Sequence, residues 1–261
     1  MPPSGRDGVE GFQRSPGQQV RNTGVRERDE GFSDDRSTET SGPTTDHTPG
    51  AVFFTPSALG VRMSLFPREM ESERLRYEYV HPDSLDALEL YDHVNADAPA
   101  IDEITEYVTW DPHTHPKETT TFIEDCGRSF EKGESASYVL RPREGERAGE
   151  IAGMAALEVD WDRKAGTLGT WLRKPFWGRG YSGERAARLL ELAFDRLDLD
   201  VVTVTHHPDN DNSRRAIERY VERFGGHREG RLRNFLVMGG EPRDAVRYSI
   251  SQAEWNANGG E

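Results

Sequence analysis

Cysteine is nearly missing from this chain. Cys126 stands alone, so no disulfide can form within it. Lysine is almost as scarce, at Lys117, Lys132, Lys164 and Lys174 only, while acidic residues outnumber Lys and Arg by 47 to 33. The net charge of -14 excludes general nucleic-acid binding, which needs a basic footprint. An acidic, lysine-poor surface stays soluble at high salt, and a halophilic source is the expectation. No apolar run is long enough to span a bilayer, and the start has no basic segment followed by an apolar core. A cytoplasmic protein without a membrane partner follows. The P-loop pattern Gly-x-x-x-x-Gly-Lys-Ser/Thr does not occur. Asp111, His113 and His115 fit no zinc spacing and have no further Cys or His nearby in sequence, so no metal is expected.

What is present divides the chain unevenly. Residues 1–50 are rich in Gly, Ser, Thr, Pro, Arg and Asp with isolated apolar residues, and read as a disordered tail. Residues 51–72 read as a linker, more apolar around Val52-Phe53-Phe54. A single domain is expected over 73–255, with a loose polar tail over 256–261. Leu75, Tyr77 and Tyr79 alternate as a first strand. Pro82-Asp83 opens a helix carrying Leu85, Leu88, Leu90 and Val94; Ile101–Tyr107 is a second and Lys117–Lys132 a third. Between the last two lies a proline-bounded loop, Thr109–Pro116. Cys126, near Phe122 and Phe130, reads as a small buried thiol. Ala136–Arg141, Gly149–Trp161 and Ala165–Leu172 form a meander of antiparallel strands. Val201–Thr205 returns after one helix and should lie parallel to the strand before it. A helix over Ser213–Phe224 follows, capped by Asp211 or Asn212, and Leu232–Met238 and Val246–Ile250 close the domain. The fold class is α/β (α+β), a mixed, mostly antiparallel sheet with flanking helices and one parallel pair.

The most informative stretch joins those parallel strands. Leu172-Arg173-Lys174-Pro175-Phe176-Trp177-Gly178-Arg179-Gly180-Tyr181-Ser182-Gly183-Glu184 runs from strand through a glycine turn into an amphipathic helix, Glu184–Leu197. The first turn of a helix carries unpaired N–H groups and partial positive charge. Glycines there let a phosphate approach the backbone, and Arg179 adds a full charge. The stretch reads as a pyrophosphate site. Gly178-Arg179-Gly180-Tyr181-Ser182-Gly183 also matches the dinucleotide pattern Gly-x-Gly-x-x-Gly, and Asp198 and Asp200 stand near the distance of its ribose partner. The antiparallel hairpins upstream are the wrong context, which leaves a dinucleotide-binding oxidoreductase as the last of the alternatives.

The loop resembles motif A of the GCN5-related N-acetyltransferases, Gln/Arg-x-x-Gly-x-Gly/Ala, with Gly180 matched, Trp177 for Gln/Arg and Ser182 for Gly/Ala. Both departures are similar to the branch that acetylates ribosomal-protein N-termini. Downstream, Asn210-Asp211-Asn212-Ser213, Glu218, Phe224-Gly225-Gly226 and Glu229-Gly230 resemble the family's Asn-x-x-Ser block. The resemblance covers about Arg74 to Trp255. It implies parallel strands that splay apart around a thioester, with acetyl-CoA as co-substrate. Cofactor contacts would be Trp171 and Leu172 through the backbone, the loop Gly178, Arg179, Gly180, Tyr181, Ser182 and Gly183, then Asn210 and Ser213. Trp110 and His113 would face the acceptor.

The implied chemistry is attack of a neutral amine on the thioester, with positioning and proton removal by the protein. The tyrosine that many family members place one residue before Glu218 is Ile217 here. Ser213 and Tyr220 are substitute donors, and Glu158 and His206 are candidate bases. The acceptor is expected to be a protein N-terminus or a small amine, and the protein a monomer or homodimer. A non-catalytic acyl-CoA-sensing module is the alternative from another class.

Overall fold

The structure is a computed structural model that describes residues 64–259. The expected tail over 1–50, positions 51–63 of the linker, and positions 260 and 261 lie outside the described residues.

One eight-stranded sheet carries the domain, and its strands are β1 (Glu69–Glu71), β2 (Leu75–Tyr79), β3 (Ser135–Pro142), β4 (Gly153–Asp160), β5 (Ala165–Leu172), β6 (Val201–His206), β7 (His227–Met238) and β8 (Glu241–Ser251). Their spatial order is β1-β2-β3-β4-β5-β6-β8-β7. Every neighbouring pair is antiparallel except β5 and β6. The expected α/β class and its single parallel pair are therefore present. Strand alternation sorts the side chains. Tyr77, Tyr138, Leu157, Leu168, Val204 and Tyr248 join one core, Val139 and Met154 the other.

The helices are α1 (Ala87–Val94), α2 (Ile101–Thr105), α3 (Pro116–Lys132), α4 (Tyr181–Glu191), α5 (Asp211–Arg223) and α6 (Gln252–Ala257). α4, α5 and α6 cover the first face through Ala186, Leu189, Leu190, Ile217, Val221 and Trp255. α1 and most of α3 cover the second through Leu90, Val94, Ile123 and Cys126. Burial raises the Cys126 thiol to about 12, so it packs as an inert small group.

Several elements differ from the sequence expectation. α4 does not run regularly to Leu197. A π segment, Leu192–Arg196, follows it, with Leu197 N–H donating to Leu192 O at 3.1 Å. The wider turn keeps Phe194 and Leu197 on the buried side. β7 and β8 are far longer than Leu232–Met238 and Val246–Ile250, and meet at Gly239-Gly240, both with positive φ as a two-residue hairpin turn requires. β7 is a polar edge strand with register shifts at Arg228/Gly230 and Leu232/Leu236, so hydropathy marks only its second half. The C-terminal end is also more ordered than a loose tail from 256, because α6 reaches Ala257. Its Trp255 is buried, donates from Nε1 to Asp195 Oδ1 at 3.0 Å, and Ser251 with Glu254 forms a capping box. Upstream of Glu73, β1 pairs with β2, and Phe66 and Met70 sit in the first core.

Candidate active site

The parallel pairing of β5 and β6 is brief. It runs from Ala165↔Val201 to Leu168↔Val204, after which β5 continues four residues to Leu172 and β6 two to His206 without partnering. Past Leu168 the sheet is open. Arg173 N–H donates to Ala152 O on the β4 side, and peptide groups alternate along a strand. Those of Arg173 and Trp171 therefore turn toward β4, while those of Thr170 and Leu172 turn into the gap. Of the two expected backbone contacts, Leu172 faces the opening and Trp171 does not. Thr170, which no motif marked, does. Trp177 closes the end by donating from its indole nitrogen to Leu172 O at 2.7 Å.

A cavity of about 230 Å³ passes through this opening, lined from both faces of the sheet. On the α1–α3 face stand Trp110, His113, Phe122, Glu158 and Trp171; on the α4–α5 face, Arg185, His206, Ser213 and Ile217.

The α1–α3 wall is built by local contacts. His113 N–H donates to Val94 O at 2.8 Å and ties the proline-bounded loop to the end of α1. Its Nδ1 lies 2.7 Å from Thr119 Oγ1, and its ring meets Trp110 and Phe122 edge-on. Burial lowers the His113 pKa, so the ring is neutral. Trp110 rests against Trp171 at 5.5 Å between centroids. Trp171 thus contributes its ring to this wall rather than its peptide to the gap. The Glu158 carboxyl group has no hydrogen bond or ion pair among the described residues, and burial alone raises its pKa.

On the other face the candidates separate. Ser213 lines the cavity, held through its N–H by Asn210 Oδ1 at 2.9 Å. Asn210, not Asp211 or Asn212, is the N-cap of α5, and it does not line the cavity. His206 has its Nδ1 2.8 Å from His207 O, stacks on Tyr248, and is depressed in pKa by burial. Tyr220 does not line the cavity. It is 2% exposed with its hydroxyl unpaired inside the core, one turn deeper on α5 than a group serving the opening. Of the two candidate donors, Ser213 is the one that lines the cavity.

The glycine loop lies at the start of α4. Gly180 is the N-cap with φ 81°, Gly178 has φ 74°, and no side chain caps the helix. The first-turn amides are therefore left for an outside acceptor. Gly183 lies inside the helix with open space around it, so it is not required as a third glycine. Arg179 donates from Nε to Pro175 O at 3.0 Å, with its guanidinium against the Phe176 ring. Arg74 braces the loop: Nη1 donates to Arg179 O at 2.8 Å, Nε to Glu184 Oε2 at 2.8 Å, and the guanidinium covers Tyr181. Its partner is 110 residues away, which no local pattern could announce. Arg185 was missed for another reason. It sits four residues before buried Leu189, on the apolar side of α4, and attention to charge within the helical period would have found it.

This geometry coincides with a family model. Residues 74–220 match the acetyltransferase (GNAT) domain. The chain belongs to the GNAT acetyltransferase family. YdaF of Bacillus subtilis (strain 168), provisionally named a ribosomal N-acetyltransferase, is 32% identical over 108 residues, 41% of this chain and 57% of that protein. The chain thus spans little more than half of that relative's length. Among solved structures, ribosomal-protein-S5-alanine acetyltransferase from Vibrio fischeri is similar with TM-score 0.59 and 15% identity, over 72% of this chain and 98% of that one. The microcin C7 self-immunity acetyltransferase MccE, solved in complex with acetyl-CoA and AMP, has TM-score 0.60 and 21% identity, with the same two coverages of 72% and 98%. At these identities the structures speak for the GNAT fold. Among the described residues no group of three His, Cys, Asp or Glu side chains could hold a metal.

Proposed function

We propose that this protein transfers an acetyl group from acetyl-CoA to a primary amine, with a protein N-terminal amine as the favoured acceptor. The observation that carries this reading is the cavity through the opened β5–β6 pair, with the unpaired N-terminus of α4 on one side and Trp110, His113 and Glu158 on the other. Gly178, Gly180 and the first-turn amides through Gly183 hold the pyrophosphate, aided by Arg179. Thr170 and Leu172 offer their peptides to the pantetheine arm, and Leu172 N–H polarises the thioester carbonyl. Ser213 hydrogen-bonds the sulfur region. Trp110, Trp171 and His113 form the acceptor wall. Glu158 takes the proton of the attacking amine, which favours it over His206 because it stands on the acceptor face. The similarity to YdaF, named for ribosomal N-acetylation, supports a protein acceptor.

The test is acetyl-CoA turnover by thiol release at high salt, where an acidic, lysine-poor protein should be most soluble, against N-terminal peptides and small amines. Peptide-dependent release supports the reading. Release with small amines alone redirects it to metabolites, and CoA binding without release favours a sensing module.

Glu158→Gln carries a second expectation. It should lower kcat by about 100-fold or more, the usual contribution of a positioned base. In the parent enzyme the acid limb of kcat/KM should lie above the ordinary carboxylate range, because burial raises this pKa. The same raised pKa has a stability sign. Its contribution is present below the unfolded pKa and lost as pH rises through the folded one. Glu158→Gln should therefore melt higher than the parent at neutral pH, with the gap closing in acid. A lower melting temperature at neutral pH together with unchanged turnover would remove Glu158 from the mechanism.

A further inference from the structure

Arg185 and Arg141 are both buried arginines, and their surroundings are opposite. Arg141, 8% exposed, meets Glu78 and Glu89 with hydrogen bonds of 2.6–2.8 Å and also reaches Gly149 O. Arg185 is 1% exposed, and its Nε and Nη1 have no hydrogen-bond partner. Its neighbour is Tyr220, a phenol rather than an anion, whose ring centroid lies 6.0 Å from Cζ and whose hydroxyl is on the guanidinium side. The groups facing it supply no carboxylate. Tyr77 on β2 and Tyr220 on α5 are phenols whose pKa values burial raises. Arg188, on the next turn of α4, pairs with Glu191. The Glu184 carboxylate is taken by Ser72 and Arg74. On β6, His206 is depressed in pKa by burial, and Glu218 on α5 is occupied by Arg214 and Tyr248. A buried cation without a counter-charge is costly unless an anion arrives from outside. Arg185 lines the cavity beside Ser213 and Ile217, on the face away from Glu158.

We propose that Arg185 is the catalytic residue that receives the departing sulfur, seating the CoA thiolate against its guanidinium. This rests on the acetyl-transfer reading above. The amine nitrogen bonds to the thioester carbonyl carbon, and the carbon–sulfur bond breaks with its electron pair left on sulfur. The amine proton goes to the Glu158 carboxylate. Arg185 donates hydrogen bonds to the thiolate and keeps its own protons, since a guanidinium does not give them up near neutral pH. As CoA leaves, the thiolate takes a proton from solvent and Glu158 returns its own to solvent, so the turnover has no net proton change. This places the opposing charges of the reaction on opposite faces of the sheet, and it supplies at Ile217's side of the cavity what a side chain without a polar atom cannot.

The experiment follows the sulfur. CoA is titrated into the full-length protein by calorimetry between pH 6 and pH 9, and thiolate formation is read by its ultraviolet absorbance, with desulfo-CoA as the probe lacking sulfur. In the parent protein the bound thiol should ionise at least one pH unit below that of free CoA. In Arg185→Met it should return to the free value, desulfo-CoA affinity should stay unchanged, and kcat should fall by about 100-fold with little change in KM for the neutral thioester. Arg185→Lys should restore part of the shift. Arg185→Met should also melt no lower than the parent, because it removes an uncompensated buried charge. A bound thiol that titrates like free CoA in the parent overturns the proposal, as does an unchanged titration in Arg185→Met with a lowered melting temperature, which marks a structural arginine. A parent protein that binds desulfo-CoA but shows no thiol shift retains the acetyl-transfer site and loses only Arg185. A parent that binds neither probe loses both.

Discussion

Arg141→Ala should destabilise the domain by about 2–3 kcal/mol, read from urea unfolding. Breaking a buried ion pair by removing one partner costs about 3–5 kcal/mol, because the other charge is left without compensation. Here the cost is discounted at one end. The Glu89 side chain is 42% exposed and can turn to water, whereas that of Glu78 is 20% exposed and keeps Arg76 as a partner. Gly149 O loses its donor as well. The pH dependence has a definite sign. The Arg141 hydrogen bond is the largest influence on Glu89 and holds its carboxyl below the usual range. That contribution is present above the unfolded carboxylate pKa and is lost as pH falls through the folded one. The difference between parent and variant should therefore be greatest near neutrality and shrink in acid. Arg141 ties α1 to β3, and α1 anchors the His113 loop, so the variant should also lose acceptor affinity before it loses CoA affinity. A destabilisation below about 0.5 kcal/mol, the scale of an exposed pair, would show that this network behaves as surface charge.

Gly180→Asp should weaken CoA binding by at least about 100-fold, the order of 2.7 kcal/mol, while the protein stays folded. Gly180 caps α4 with φ 81°, a conformation that Asp and Asn tolerate better than other side chains. A Cβ there would meet only Arg74 Nη2, at 3.4 Å, which is the far end of a flexible side chain. The aspartate would pair with that guanidinium and place a negative charge where the helix N-terminus would receive phosphate. Gly180→Asn carries nearly the same shape without the charge. It should bind CoA much more tightly than the aspartate variant. Equal weakening in both would assign the loss to backbone geometry, and calorimetry showing full affinity in Gly180→Asp would detach the loop from phosphate binding.

The sequence carried the glycine loop, the parallel crossover and the two halves of the family signature, because each depends on neighbours within a few residues. Gly178 and Gly180 were legible since a strand-to-helix turn with positive φ asks for glycine locally. The apolar faces of α3 and α4 were legible from period alone. Tyr220 misled. It stands as a substitute for the tyrosine that Ile217 replaces, but depth within the core is set by α4 and the sheet, and these enclose its hydroxyl. Likewise the resemblance assigns Trp171 by its backbone, whereas the β4–β5 register turns that peptide away from the gap and leaves the ring against Trp110.

By itself the sequence determined the order of elements, the turn chemistry and the class of ligand that a glycine-rich helix start can accept. Only the tertiary structure decided which charges share a site. Glu158 and Arg185 line one cavity from opposite faces, and Arg74 reaches Glu184 across the loop. Those relations depend on where β5 and β6 part company, after Leu168 and Val204. A strand's own residues specify its alternation, but the point at which two strands separate is set by everything packed on both faces of the sheet.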